Sequence, residues 1–271
     1  MRDNPAGFTG NVPENYDRHL GPVLFVDYGR DLADRIAALK PGRILETAAG
    51  TGIVTKALRD RLPASTHITV TDLNAPMLEV ARAKFPAPAQ LNFAPADAQA
   101  LPFADASFDA MICQFGIMFY PDRPKSYREA RRVLAPGGQY SFSVWDSHRF
   151  NGFARITDGL IRQFFPVDPP SFYAVPFACA ALDPIKQDLL DAGFTDIRAE
   201  VLTIEKPVAD LALFARGLVF GNPLVDQIRA RGTVTPEALH AAVVEALGRE
   251  FGTGPARVPL QTIFWSARRP G

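Results

Sequence analysis

Apolar positions along this chain alternate between two rhythms. From Tyr16 to Lys40 the spacing predicts a helix, with Leu32, Ile36 and Leu39 on one side and Pro41-Gly42 as its stop. Residues 1–15 read as irregular. Arg43 to Glu46 is a short apolar run that enters a turn of small residues, Thr47-Ala48-Ala49-Gly50-Thr51-Gly52, and Ile53 to Leu62 then reads as helix. His67 to Asp72 is rich in β-branched residues and predicts a strand. Asn74 to Lys84 follows as a helix with Met77, Leu78 and Ala81 inward, and Leu91 to Phe93 as a short strand. Phe108 to Phe115 is apolar almost throughout, as a strand covered on both faces should be. A helix from about Pro124 to Leu134 is closed by Pro136-Gly137-Gly138, and Gln139 to Trp145 is a further strand.

Strands and helices thus alternate from residue 43 to 145, which implies an α/β fold with a parallel, doubly wound sheet and helices on both faces. Beyond it, residues 146–182 are rich in Phe and Pro without a clear period. Pro184 to Ala192 reads as a helix capped by Gly193, and Thr195 to Glu205 as a strand. Pro207 to Phe251 is helical in pattern, interrupted at Gly221-Asn222-Pro223 and at Gly232, and Val258 to Ala267 is a last strand. If the last two strands join the first five, the sheet has seven strands and is mostly parallel. Residues 146–182 and 207–251 are then insertions into a single domain spanning 1–271.

Composition narrows the partners. The chain carries 29 Lys and Arg against 29 Asp and Glu, so it has no net charge and no basic surplus for nucleic acid or an anionic membrane surface. No run approaches the roughly 18 apolar residues that a membrane helix requires. The polar N-terminus lacks a secretory apolar core, and Cys113 and Cys179 match neither a disulfide framework nor a zinc site. A cytoplasmic location without membrane insertion is the expectation. The aromatic content is skewed, with 20 Phe against 6 Tyr and 2 Trp.

Ligands of a doubly wound sheet bind beyond the carboxyl ends of its strands, where the strand order reverses. Four segments should meet there. The first is the turn after Glu46, an acid whose burial at a strand end is costly without a partner. Ile53 to Thr55 occupy the place of a third glycine, which speaks against a pyrophosphate cradle. The second is Asp72, 20 residues beyond Gly52, where a carboxylate can accept from two vicinal ribose hydroxyls or, alternatively, cap the next helix. The third holds Asp97 and Ala98, suited to an adenine edge or to a solvated turn. The fourth, Gln114 to Phe119, supplies carbonyls and apolar walls.

In order and spacing, the stretches ILETAAGTG, TDLNAPMLEVARAKF, ADAQALPFADASFDAMICQFGIMFYPD and REARRVLAPGGQYSFSVW resemble the class I S-adenosylmethionine-dependent methyltransferases of the methyltransferase type 11 kind. That group includes the ubiquinone/menaquinone-biosynthesis methyltransferases. The resemblance covers about Tyr16 to Trp145. It implies a Rossmann-like fold, with 1–40 as a helical cover, 41–145 as the cofactor-binding core, 183–206 and 256–268 as the remaining sheet elements, and the two insertions as substrate lids.

Residue by residue, the resemblance implies S-adenosylmethionine bound as follows, with S-adenosylhomocysteine as product. Glu46 anchors the first loop near the methionine amino group, and Ala48, Gly50 and Gly52 let the backbone approach. Ala48 stands where the family often has glycine, so its backbone is expected to avoid positive φ. Asp72 binds the ribose, Leu73 packs on adenine with Met77 beside it, and Asp97 and Ala98 read the adenine edge. The backbone carbonyl of Gln114 touches the methionine ammonium, and Tyr16 and Tyr28 cover the cofactor.

Methyl transfer is an in-line displacement that rests on alignment and removal of water. The sequence names no catalytic residue; His148, Asp146 and His19 are the candidates for a base. The aromatic insertions, with Phe150, Phe153 and Phe172, favour a small apolar or aromatic acceptor. A homodimer stays open. A non-catalytic cofactor-binding protein and a nicotinamide-dependent oxidoreductase are the alternative readings.

Overall fold

The computed structural model describes residues 4–85 and 90–271; residues 1–3 of the segment read as irregular lie outside these. The strands are β1 (Arg43–Glu46), β2 (His67–Asp72), β3 (Leu91–Pro95), β4 (Phe108–Gln114), β5 (Leu134–Trp145), β6 (Thr195–Val208) and β7 (Ala256–Arg268). They form one sheet in the order β3-β2-β1-β4-β5-β7-β6. β1 to β5 are parallel, and β7 runs antiparallel to both β5 and β6. The order reverses between β1 and β4, so the sheet opens a crevice at the carboxyl ends of those two strands.

The helices before β4 are α1 (Val12–Asn15), continued by a π-helix (Tyr16–Phe25), then α2 (Val26–Ala38), α3 (Ile53–Arg61) and α4 (Ala75–Ala83). After β4 come α5 (Arg123–Val133), α6 (Gly152–Phe164) and α7 (Leu182–Asp191). The last three are α8 (Leu211–Phe220), α9 (Leu224–Arg231) and α10 (Pro236–Phe251).

Side chains of β4 alternate between two cores, because successive residues of a strand point to opposite faces. Ala110 and Ile112 pack with Leu32 and Ile36 of α2 and Leu58 of α3. Met111 and Cys113 pack with Tyr127 of α5 and Leu189 of α7. Both faces are covered, as the nearly continuous apolar run of β4 predicts.

Three differences from the sequence reading have local causes. Val12–Asn15 is helical rather than irregular: Pro13 sits in its first turn, where a missing N–H costs nothing, and the π-helix continues from it. Residues 152–164 form α6, whose buried face is Phe153, Ala154, Thr157 and Ile161. Thr157 stands at a core position of that face, and its hydroxyl is satisfied by the Phe153 carbonyl at 2.8 Å, so a polar residue masks the period. β5 begins at Leu134 rather than Gln139, with a register shift against β4. Gly137, at φ +76°, makes the turn in that segment, and its N–H donates to the Arg269 carbonyl at 3.0 Å.

The helical region after β6 breaks at Gly221-Asn222-Pro223 and at Gly232, where the pattern predicts breaks. Among the described residues, no helix is long and apolar enough to cross a membrane.

Candidate active site

β1 delivers Glu46 to the crevice floor, and the turn that follows is tied to both neighbouring strands. Thr47 N–H donates to the Ile112 carbonyl of β4 and Ala49 N–H to the Thr71 carbonyl of β2, each at 2.9 Å. Between these ties the chain must turn sharply, and Ala48, Gly50 and Gly52 all take positive φ (+50°, +56° and +77°). Ala48 therefore does not avoid the left-handed region as expected. The strained conformation costs about 1–2 kcal/mol for a residue with a Cβ. The neighbouring Gly116 leaves room for it, since a Cβ there would lie only 2.4 Å from the Ala48 methyl.

Gly50 N–H donates to Asp72 Oδ2 at 2.8 Å, and Asn74 N–H donates to Asp72 Oδ1 at 2.8 Å. Asp72 is buried, 6% exposed, and no cation pairs with it among the described residues. Burial pushes its carboxyl up from the ordinary value, while the N–H bonds from Asn74 and Gly50 oppose the shift. Each oxygen keeps acceptor capacity, so the carboxylate is suited to further hydroxyl donors. Asn74, not Asp72, occupies the cap position before α4.

Beyond β3, Asp97 is half-buried and accepts from Gln99 N–H at 2.8 Å, with Ala98 buried beside it. Leu73, 63% exposed, forms the rim, and buried Met77 lies under Gly50.

Asp72, Leu73, Met77, Asp97 and Ala98, with Ala48, Gly50 and Gln114, line one end of a half-open cleft. The other end is aromatic. Phe115 follows β4 with a positive φ of +55°, and its ring stacks on Trp145 at the end of β5 (centroids 4.4 Å apart, planes 10° apart). Tyr16 stacks on Phe25 at 4.8 Å and 15° from the π-helix side. Phe153 of α6 meets Trp145 edge-on at 5.8 Å, and Phe172 stacks on Phe119 at 6.2 Å. Burial raises the Tyr16 phenol well above its ordinary pKa, so it stays a hydrogen-bond donor. Among the described lining residues there is no His, Lys, Arg, Glu or Cys.

Residues 45–142 match the family described as "Methyltransferase domain". A demethylmenaquinone methyltransferase from Thermus thermophilus is 40% identical over 199 residues, which span 66% of this chain and 88% of that protein. A ubiquinone/menaquinone biosynthesis C-methyltransferase from Geotalea daltonii is 35% identical over 165 residues, 58% of this chain and 69% of that one. The chain belongs to the class I S-adenosylmethionine-dependent methyltransferases. Its fold is also that of a phosphoethanolamine N-methyltransferase from Haemonchus contortus, with a TM-score of 0.61 at 18% identity, covering 96% of this chain and 57% of that one. The methyltransferase is thus an enzyme that uses S-adenosylmethionine, and the nicotinamide-dependent alternative falls.

Several expected residues of the methyltransferase stand outside the cleft. Tyr28 is packed in the core beside Phe115 and Trp145, and its hydroxyl donates to the Leu202 carbonyl at 3.4 Å. Gly52 caps α3 and serves helix packing, because a Cβ there would lie 2.9 Å from Ala81 Cβ. Glu46 lies buried against α3 and accepts from Thr55 Oγ1 at 2.6 Å; burial pushes its carboxyl up to about 8. Gln114, by contrast, lines the cleft, with its side-chain Nε2 donating to the Phe25 carbonyl at 3.2 Å while the buried Oε1 has no partner.

None of the three candidate bases lines the cleft either. His19 faces an outer crevice beside Arg18 and Arg216; burial first, then Arg216, lowers its pKa. Asp146 is held by Gln261 Nε2 at 2.7 Å, which ties β5 to β7. His148 stands behind Phe177, ring centroids 4.5 Å apart, with Nε2 buried and unpartnered. Phe150, 42% exposed, is off the lining, whereas Phe153 and Phe172 are on it.

Sequence reasoning also missed Phe8, Phe25, Trp145 and Asn222, which all line the cleft. Trp145 carried a signal, since it ends a strand at the ligand edge. Phe8 carried none.

Proposed function

We propose that the polar end of the cleft holds S-adenosylmethionine and the aromatic end holds a small, planar, electron-rich ring of the hydroquinone type. The observation that carries this reading is one continuous cleft, with a buried unpaired carboxylate at one end and stacked aromatic rings at the other. Asp72 takes the ribose hydroxyls, Asp97 and Ala98 the adenine edge, and Leu73 and Met77 flank the base. Tyr16 roofs the cofactor from the π-helix. Glu46 acts through the loop it supports rather than by contact.

The bound cofactor supplies a methyl group on a cationic sulfonium. Aromatic faces around the junction of the two ends attract a cation and exclude water. They hold the acceptor in line while the methyl passes from sulfur to a carbon or oxygen of the ring. Both lining carboxylates stand at the cofactor end, so no side chain at the aromatic end offers a base near neutral pH. The acceptor must therefore be nucleophilic in itself, which a hydroquinone is, and its proton passes to water. The names of the two relatives above agree with that chemistry.

The test is transfer of labelled methyl from S-adenosylmethionine to naphthohydroquinone, alongside calorimetry of S-adenosylhomocysteine. Methylated ring and tight product binding are expected. Tight binding without transfer to any hydroquinone would overturn the acceptor class and leave the cofactor assignment standing.

A further inference from the structure

One short segment, residues 4–8, touches both ends of the half-open cleft. Ala6 and Phe8 line it. The Phe8 ring stands among rings from three separate elements. It meets Tyr16 of the π-helix edge-on at 5.9 Å and 89°, and Phe119 after β4 at the same distance and angle. It meets Phe172 of the Phe-rich insertion at 6.4 Å and 76°. Such edge-to-face pairs favour one ring position without enclosing it, and Phe8 is only half-buried.

The backbone of Phe8 reaches the polar end. Its N–H is shared between the Ala6 carbonyl at 3.2 Å and Asn74 Oδ1 at 3.3 Å. Asn74 in turn gives Asp72 Oδ1 two donors, its backbone N–H at 2.8 Å and its side-chain Nδ2 at 3.4 Å. The amide orientation follows from its partners: an ionised carboxylate only accepts, so it takes the donor end of Asn74 and leaves the carbonyl end for Phe8 N–H. Asp72, Asn74 and Phe8 thus form one chain from the buried carboxylate to the aromatic end. Among the described residues, the Asn74 contact is the one hydrogen bond that joins residues 4–8 to the rest of the molecule. A segment held by one hydrogen bond and one ring opens at low cost, independently of the sheet.

We propose that residues 4–8 are a strap through which bound cofactor builds the acceptor site, with Phe8 as the residue that positions the acceptor ring. This rests on the cofactor and acceptor reading above. A ligand that donates to Asp72 fixes the carboxylate, and with it the Asn74 amide that holds the strap. The strap then keeps the Phe8 ring against Tyr16, Phe119 and Phe172, where it forms part of the acceptor's wall. Binding at the two ends is cooperative, and each ligand tightens the other by the same factor.

Two measurements on the full chain test the strap. Amide hydrogen exchange at Phe8 needs no acceptor and should slow at least about fivefold when S-adenosylhomocysteine binds. Tryptophan fluorescence, with anaerobic naphthohydroquinone as probe, should find the ring bound at least about fivefold tighter to the S-adenosylhomocysteine complex than to the free protein. Phe8→Ala should cut that ratio to less than about twofold, and Phe8→Tyr, which keeps a ring, should restore it. Asn74→Ala, remote from the aromatic end, should lower the ratio and the protection of the Phe8 amide together. A ring that only filled the wall would weaken both states alike and leave the ratio unchanged in Phe8→Ala, which overturns the coupling, as does a ratio below about twofold in the unaltered protein. Unchanged exchange at Phe8 overturns the strap whatever the acceptor. Protection of Phe8 with no ring bound in either state keeps the strap and overturns the acceptor class alone.

Discussion

The two ends of the cleft are built by different means. The polar end is made from consecutive strand ends, and its key groups lie within a few residues of a strand terminus: Glu46, Asp72 and Gln114 are each the last residue of a strand. Backbone ties hold it, Gly50 to Asp72 above all. The aromatic end is made from segments far apart in the chain, Phe8, Phe25, Trp145, Phe172 and Leu218 among them, and only packing brings them together. The polar end is thus local and directional in its construction, whereas the aromatic end is long-range and set by shape.

The comparison can be broken or sharpened by substitutions on either side. The largest effect is expected at Asp72→Ala, which removes an acceptor of charge-assisted hydrogen bonds worth about 1.5–3 kcal/mol each. Calorimetry should give S-adenosylhomocysteine binding weaker by at least tenfold, and unchanged affinity would break the polar-end assignment. Next is Gly116→Ala, whose new methyl would meet Ala48 Cβ at 2.4 Å and Cys113 Sγ at 2.6 Å. Overpacking of this kind costs about 1–3 kcal/mol, read as a lower midpoint in urea. Phe172→Ala should act on the other end alone: the KM for the acceptor rises about tenfold while S-adenosylhomocysteine affinity stays within about twofold. Equal losses in both would mean that the ends are not separable.

A smaller effect concerns Glu46. Its folded carboxyl is raised by burial from 4.5 to about 8, so between those values the folded state holds a proton that the unfolded state has lost. Its contribution to stability is therefore full below 4.5 and is lost as pH rises through about 8, with a slope of at most about 1.4 kcal/mol per pH unit. Urea titrations should find that Glu46→Gln flattens this decline, and parallel profiles would contradict the burial. The smallest effect is at His19→Ala. Facing the outer crevice, it should leave kcat within about twofold, and a larger loss would place it in the mechanism.

Much of the polar end was legible because local rules decide it. β1 and β2 begin and end where their apolar and β-branched runs do, and Asp72 stands out as an acid at a strand end. The first helical segment was legible as helix but not in its facing. Tyr16, Leu20, Leu24 and Phe25 turn to the cleft while Tyr28 turns into the core. The π-helix over Tyr16–Phe25 bonds each turn one residue further along than an α-helix, which shifts the phase on which such projections depend. Ala48 was misjudged for a related reason: its conformation is permitted by Gly116, a residue remote in sequence.

By itself, then, the sequence determined the alternation of strands and helices, the parallel sheet and the acids at its switch point. These follow from periodicity and from the fixed geometry of strand-to-helix turns. Only the tertiary structure decided which aromatic rings line the cleft, that His19 and His148 do not, and that Leu20 seats on Gly217 and Gly221. Those outcomes depend on contacts between segments about 200 residues apart, and apolar burial is non-directional, so no local pattern records its partners.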